Sequence, residues 1–226
     1  MSKKYKHLFF DLDKTLWDFE KNSKETLNEL FENHQLSEKK IESFDIFFEK
    51  YTEINVGLWD LYRKGEINKN FLSLQRFEQT FNVFGFSDVK LAKTFAVDYI
   101  LLSPQKTHLF PGVIEVLEEL QLNYELHVIT NGFKEVQYKK LTNSGLINYF
   151  TKIITSEEAG FMKPNPQIFN HALEETNATS SVSIMIGDDL EVDIISAQQF
   201  GMDQVYVNYE SISHNEKPTY EINNLL

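Results

Sequence analysis

Asp11 and Asp13, in the stretch FFDLDKT (residues 9–15), stand directly behind a short apolar run. A carboxylate is costly to take out of water. Two of them at the mouth of a buried strand are therefore either an acidic turn left in solvent or a metal-assisted reaction centre. Three further segments bear on the choice. MIGDDLEVD (185–193) adds Asp188, Asp189 and Asp193, VITNG (128–132) adds a hydroxyl and an amide-rich turn, and MKPNP (162–166) adds Lys163. Carboxylates from such distant segments would repel one another in a common cleft. A hard divalent cation relieves that repulsion, and an oxygen-only donor set without His or Cys favours Mg2+ over Zn2+. Mg2+ keeps several waters and usually works with one or two carboxylates plus a substrate phosphate, which points to phosphoryl chemistry. Lys163 offers the point charge a phosphate needs. The Thr130-Asn131-Gly132 turn opens a helix, and helix N-termini bind anions through their first N–H groups.

The elements that must position these residues can be read from periodicity. Short β-rich runs recur as YKHLFF (5–10), LHVIT (126–130), KIIT (152–155), VSIMIG (182–187) and QVYV (204–207). After residue 110 they alternate with helical patterns at Val113–Leu122, Lys134–Asn143, Pro166–Glu175 and Leu190–Phe200. Strands alternating with helices of this length predict βαβ units and a parallel sheet. Asn165-Pro166 offers an N-cap followed by Pro at the first helical position. Gly145 and Gly201 follow periodic segments, as C-terminal glycines do. In open α/β sheets ligands bind beyond the carboxyl ends of the strands, and that is where all four segments fall.

Residues 18–105 carry almost no strand signal. Their apolar residues recur three and four apart, as in amphipathic helices. The expected organisation is a Rossmann-like α/β core from residues 1–17 and 106–226, interrupted by an all-helical unit at 18–105. Such an insert is too long for a loop.

Composition limits the partners. With 22 basic and 34 acidic residues the formal net charge is −12, so a nucleic-acid backbone is not the expected partner. There is no Cys, hence no thiol nucleophile and no thiolate metal site. The first apolar run is too short for a signal peptide, and no stretch reaches the ~20 apolar residues of a membrane span. A cytoplasmic protein acting on small ligands is expected.

FFDLDKT, VITNG, MKPNP and MIGDDLEVD together, in this order and spacing, resemble the four motifs of the haloacid dehalogenase-like superfamily. The helical insert after the first motif is similar to that superfamily's C1-type cap. The resemblance implies a Rossmann-like core with a mobile helical lid. It makes Asp11 the nucleophile and a Mg2+ ligand, with Mn2+ able to substitute. Asp13 becomes the general acid and base, its backbone carbonyl also meeting the metal. Thr130 and the Asn131 amide would hold the phosphoryl group, Lys163 would screen nucleophile from phosphate, Asp188 would bind the metal, and Asp189 and Asp193 would support that set. Asp189 and Asp193 also suit a helix N-terminus, where the dipole favours negative charge. The superfamily's metal-free dehalogenases lack the second Asp, so Asp13 points to a phosphatase or a phosphomutase.

A closer resemblance covers most of the chain. VITNGFKEVQYKKLTNSGLINYF, ITSEEAGFMKPNPQIFNHAL and, more loosely, NVGLWDLYRKGEI with RFEQTF are similar to the superfamily's pyrimidine 5′-nucleotidases, which act on noncanonical nucleotides. That implies nucleoside monophosphates as substrates, with phosphatases of small sugar or glycolate phosphates as the alternative among enzymes. A phosphorylatable switch or a binding protein on the same scaffold is the alternative outside them. Trp17, Trp59 and Tyr62 are candidates for stacking on a base, which suits any base; aromatics in a helical insert also serve as its core. Arg63 and Arg76 are candidates for touching a substrate but are expected in surface salt pairs, and the six His residues are expected in structural or solvated positions.

Overall fold

A computed structural model describes residues 5–226; residues 1–4 of the expected core segment lie outside them. Two compact units emerge, Met1–Phe19 with Thr107–Leu226, and Glu20–Lys106.

The first unit is built on six strands, β1 His7–Phe10, β2 Glu125–Thr130, β3 Lys152–Thr155, β4 Ser183–Gly187, β5 Asp203–Val207 and β6 Tyr220–Ile222. They lie in the order β3-β2-β1-β4-β5-β6, and every pair is parallel. β1 and β4 are buried along their whole length, which is why both read as continuous apolar runs rather than alternating ones. Alternate residues supply two cores. Leu8, Phe10, Val128 and Ile186 meet Val113, Leu117 and Leu141, whereas Phe9, Ile129 and Met185 meet Ile168, Phe169 and Ala197. Helices thus cover both faces of the sheet.

The second unit takes in α1 (Phe19–Asn33) from Glu20 onward, followed by α2 (Phe44–Arg63), α3 (Lys69–Val83) and α4 (Val89–Leu102). Ser43, Asn68 and Asp88 cap the last three, each side chain accepting from a first-turn N–H. Its core is aromatic, with Phe31, Phe47, Tyr51, Phe77, Phe81 and Phe95 all buried.

Beyond β1 the first unit continues through α5 (Val113–Leu120), α6 (Lys134–Asn143), α7 (Ser156–Ala159), α8 (Pro166–Thr176) and α9 (Ser196–Phe200). Asn165 caps α8 ahead of Pro166, as the sequence predicts. The expected helix from Leu190 is divided. Leu190–Ile195 is wound wider than an α-helix and only then becomes α9. β6 was not expected; YEI is mostly exposed and has no apolar run to announce it. No helix among the described residues is long and apolar enough to cross a membrane.

Candidate active site

β1 lies between β2 and β4, so the chain order reverses beside it, and a crevice at the carboxyl ends follows from that reversal. Asp11 comes directly after β1 and its N–H donates to the Ile186 carbonyl at 2.8 Å, which ties it to the end of β4. Thr130 ends β2, and Asp188 follows β4.

Lys163 is 1% exposed, yet fully engaged. Its Nζ donates to Asp11 Oδ1 at 2.6 Å, to Asp193 Oδ1 at 2.6 Å and to the Ile129 carbonyl at 2.8 Å. Asn131 fixes its backbone reciprocally, Nδ2 donating to the Lys163 carbonyl and Oδ1 accepting from the Lys163 N–H, both at 2.8 Å. The Asn131 side chain is therefore held against the Lys163 backbone, with one Nδ2 hydrogen and its own backbone N–H outside that pair.

Asp11, Asp188 and Asp193 offer carboxylate oxygens within 4.8 Å of one another. Burial pushes Asp11 well above the usual carboxylate range, against the pull of Lys163. Burial and the neighbouring Asp193 raise Asp188 to about 7, and burial also raises Asp193. Burial opposes the charge on Lys163, but Asp11 and Asp193 outweigh it and hold that ammonium above its ordinary value. One cation among three carboxylates, Asp11 and Asp193 buried and Asp188 half-buried, leaves excess negative charge, and the donors are all oxygen. This set fits a hard divalent cation.

The two remaining acidic residues behave differently from each other. Asp193 is 1% exposed, belongs to the cluster, and accepts from the Asp189 N–H through Oδ2. Gly187 makes room for it, since a Cβ there would lie 2.4 Å from Asp193 Oδ2. Asp189 instead caps the wide helical turn, Oδ1 accepting from the N–H groups of Glu191 and Val192 at 3.1 and 2.9 Å. Its carboxylate takes the helix-terminal role rather than joining the cluster.

Asp13 is not part of that cluster, and its side chain is held by α6. Lys140 Nζ donates to Asp13 Oδ1 at 2.5 Å and Gln137 Nε2 to Oδ2 at 3.0 Å. Neither Gln137 nor Lys140 was identified from the sequence. Thr15 Oγ1 donates to Asp188 Oδ1 at 2.9 Å, joining the first motif to the fourth.

Among the candidate base-stacking residues, Trp17 is corrected by the structure. It is fully buried in the core of the first unit, with the Lys140 ammonium 4.0 Å from its ring centroid. A tight reversal places it there, with the Trp17 N–H on the Leu12 carbonyl and the Lys14 N–H on the Trp17 carbonyl. Trp59 and Tyr62 are half-buried on α2 and meet edge to face at 5.5 Å. Arg63 pairs with Asp60 as expected. Arg76 does not lie at the surface. It is buried, its guanidinium 4.5 and 5.1 Å from the ring centroids of Tyr99 and Phe77. Two of the scattered histidines come together at the other end of the strands, His7 Nδ1 and His127 Nε2 being 3.2 Å apart. Burial holds His127 down at about 4.

A parallel sheet wound on both faces, with carboxylates, a hydroxyl and a buried lysine gathered where its order reverses, defines an α/β enzyme. The chain belongs to the haloacid dehalogenase-like hydrolases, whose family model matches residues 8–207. It is 31% identical to the pyrimidine 5′-nucleotidase YjjG of Escherichia coli (strain K12) over 216 residues, 95% of this chain and 90% of the relative. It is 29% identical to a glyceraldehyde 3-phosphate phosphatase of Methanothermobacter thermautotrophicus over 224 residues, 97% and 92% of the two chains. Among solved structures it is similar to YfnB from Bacillus subtilis, in a crystal form bound to magnesium, with a TM-score of 0.89 and 30% identity over 99% of this chain and 96% of that one.

Proposed function

We propose that the protein is a Mg2+-dependent phosphomonoesterase that works through an aspartyl-phosphate on Asp11 and prefers pyrimidine nucleoside 5′-monophosphates. The observation that carries the chemistry is the Asp11 carboxylate at the end of β1, held by Lys163 at 2.6 Å beside Asp188 and Asp193. Asp11 attacks phosphorus, the ester P–O bond breaks, and Asp13 gives a proton to the departing alkoxide. Asp13 then takes a proton from the water that attacks the acyl phosphate, releasing inorganic phosphate and restoring Asp11. Splitting one hard displacement into two easier ones is the usual gain of a covalent intermediate. Thr130 and the turn after it donate to the phosphoryl oxygens, and Lys163 screens Asp11 from their charge. Asp11, Asp188, the Asp13 carbonyl and, through its place in the cluster, Asp193 would hold the cation. When bound, it supplies positive charge against the phosphoryl oxygens.

The substrate class is supported by the likeness to YjjG over nearly the whole chain. The likeness to a glyceraldehyde 3-phosphate phosphatase favours a second reading, small sugar phosphates. A phosphate-release screen over nucleoside monophosphates and sugar phosphates separates them. If every pyrimidine nucleotide is turned over no faster than the sugar phosphates, the nucleotidase reading fails.

EDTA is expected to abolish turnover, and Mg2+ or Mn2+ to restore it, since both accept carboxylate and water oxygens. Ca2+ is expected to bind and support little activity, because its looser geometry misplaces the reacting oxygens. Turnover that survives exhaustive chelation would refute the metal requirement.

Trp59→Ala and Tyr62→Ala test base recognition. A residue that stacks on the base should cost about 1–3 kcal/mol in kcat/KM for UMP, the scale of base–aromatic stacking. A sugar phosphate should lose far less. A purely packing role would instead lower Tm and reduce both activities in proportion.

A further inference from the structure

We propose that Gln137 and Lys140, one turn apart on α6, are positioning residues that set the Asp13 carboxylate and the Thr130 hydroxyl in register. The inference rests on the reading of Asp13 as the proton-transfer group.

Each oxygen of the Asp13 carboxylate has its own donor from α6. Lys140 Nζ reaches Oδ1 at 2.5 Å, and Gln137 Nε2 reaches Oδ2 at 3.0 Å. The same Nε2 donates to Thr130 Oγ1 at 2.7 Å. An amide nitrogen has two hydrogens, so one goes to the carboxylate and the other to the hydroxyl oxygen. The orientation of the amide follows from chemistry, because the reverse would set Oε1 against a carboxylate. Thr130 Oγ1 also accepts from the Gly132 N–H at 3.1 Å. A hydroxyl has two lone pairs and one hydrogen. With both lone pairs taken, Thr130 is left with its O–H as a donor, the role required of a group that meets phosphoryl oxygens. Gln137 therefore settles two things at once, the setting of the proton-transfer carboxylate and the polarity of the phosphoryl-binding hydroxyl.

The surroundings are fitted to this pair. Gln137 and Lys140 are both buried. The Lys140 ammonium lies 4.0 Å from the centroid of the Trp17 ring and 5.5 Å from that of Phe19, so two aromatic rings and one carboxylate define its place. Gly132 carries no side chain because Gln137 occupies that space. A Cβ at residue 132 would sit 2.3 Å from Gln137 Cδ and 2.5 Å from Nε2. The second motif's glycine thus makes room for a side chain of α6.

Kinetics on UMP, or on the best alkyl phosphate the screen finds, tests the proposal with Lys140→Met, Lys140→Arg, Gln137→Leu, Asp13→Asn and the double variant Asp13→Asn/Lys140→Met. Misplacing a reacting group by about 1 Å can cost on the order of 10²-fold. Lys140→Met and Gln137→Leu are therefore expected to lower kcat roughly 10- to 100-fold with KM within about threefold, and Lys140→Arg to recover part of the loss. With p-nitrophenyl phosphate, whose leaving group needs little protonation, a rapid phenol burst should persist in Lys140→Met while steady turnover slows. If Lys140 acts through Asp13, the double variant is no slower than Asp13→Asn alone. Multiplicative losses in the double variant, or single variants within threefold of wild type, overturn the proposal. Asp13→Asn at wild-type rate would instead overturn the reading of Asp13 beneath it. If thermal melts show Lys140→Met to be unfolded, the same comparisons with Gln137→Leu and Lys140→Arg decide.

Discussion

Asp11→Asn is expected to abolish phosphate release while leaving the fold intact. The amide is nearly isosteric with the carboxylate but is no nucleophile toward phosphorus, and removing a nucleophile typically costs on the order of 10⁴-fold or more in kcat. Stability should change little, for two opposed reasons. Asp11 is a buried carboxylate whose ionised form is penalised by desolvation, and its neutral replacement escapes that penalty. Lys163 loses one counter-charge, though an amide Oδ1 still accepts from it, and it keeps Asp193 at 2.6 Å and the Ile129 carbonyl at 2.8 Å. The ammonium therefore stays neutralised. Phosphate release measured beside a thermal melt checks both halves. Activity within tenfold of wild type would remove Asp11 from the nucleophile's role, and a collapsed melt would show that the pair with Lys163 had been structural as well.

The residues most visible in the sequence are those at strand ends, because position and chemistry coincide there. Asp11, Thr130 and Asp188 each follow an apolar run that must be a strand, and the carboxyl edge of a parallel sheet brings such positions together whatever lies between them. Lys163 was readable for its motif, though nothing local announced that it would be 1% exposed. What could not be read depends on where side chains turn. Gln137 and Lys140 lie in KEVQYKKLTN, a polar helix whose sequence resembles a solvated face. Their burial follows from the missing side chain of Gly132 and from the turn of Asp13 toward α6. Asp189 and Asp193 looked alike as acids near a helix start. The wide turn Leu190–Ile195 separates them, putting one on the helix cap and the other under Lys163. Trp17 directly follows a motif, where a substrate-facing residue is expected, yet the reversal after Leu12 turns it inward. Arg76 was misjudged because a lone Arg in a helical pattern is usually solvated. Here the faces of Tyr99 and Phe77 receive it.

Lys163→Met should be the most damaging single change to the core unit, because it removes one charge that two buried carboxylates share. Asp11 and Asp193 each lie 2.6 Å from its Nζ, and the Lys163 side chain is 1% exposed. Methionine matches the stem in length and apolar character, so packing is largely kept and the electrostatic loss stands alone. The Asn131 bonds to the Lys163 backbone should survive, since they do not involve the side chain. Breaking a buried ion pair by deleting one partner typically costs about 3–5 kcal/mol, because the remaining charge stays desolvated without its counterion. Two carboxylates are stranded here rather than one. The loss should therefore fall in that range at neutral pH, with turnover abolished as well. A divalent cation offers the cluster an alternative counter-charge. Mg2+ is expected to raise the Tm of Lys163→Met more than that of wild type, without restoring phosphate release, since the cation cannot also stand between Asp11 and the phosphate it attacks. Urea unfolding in EDTA measures the loss, and thermal melts in EDTA and in Mg2+ measure the rescue. A variant as stable as wild type in EDTA would show that the carboxylates are relieved by water or by protons, and that Lys163 is held for catalysis alone.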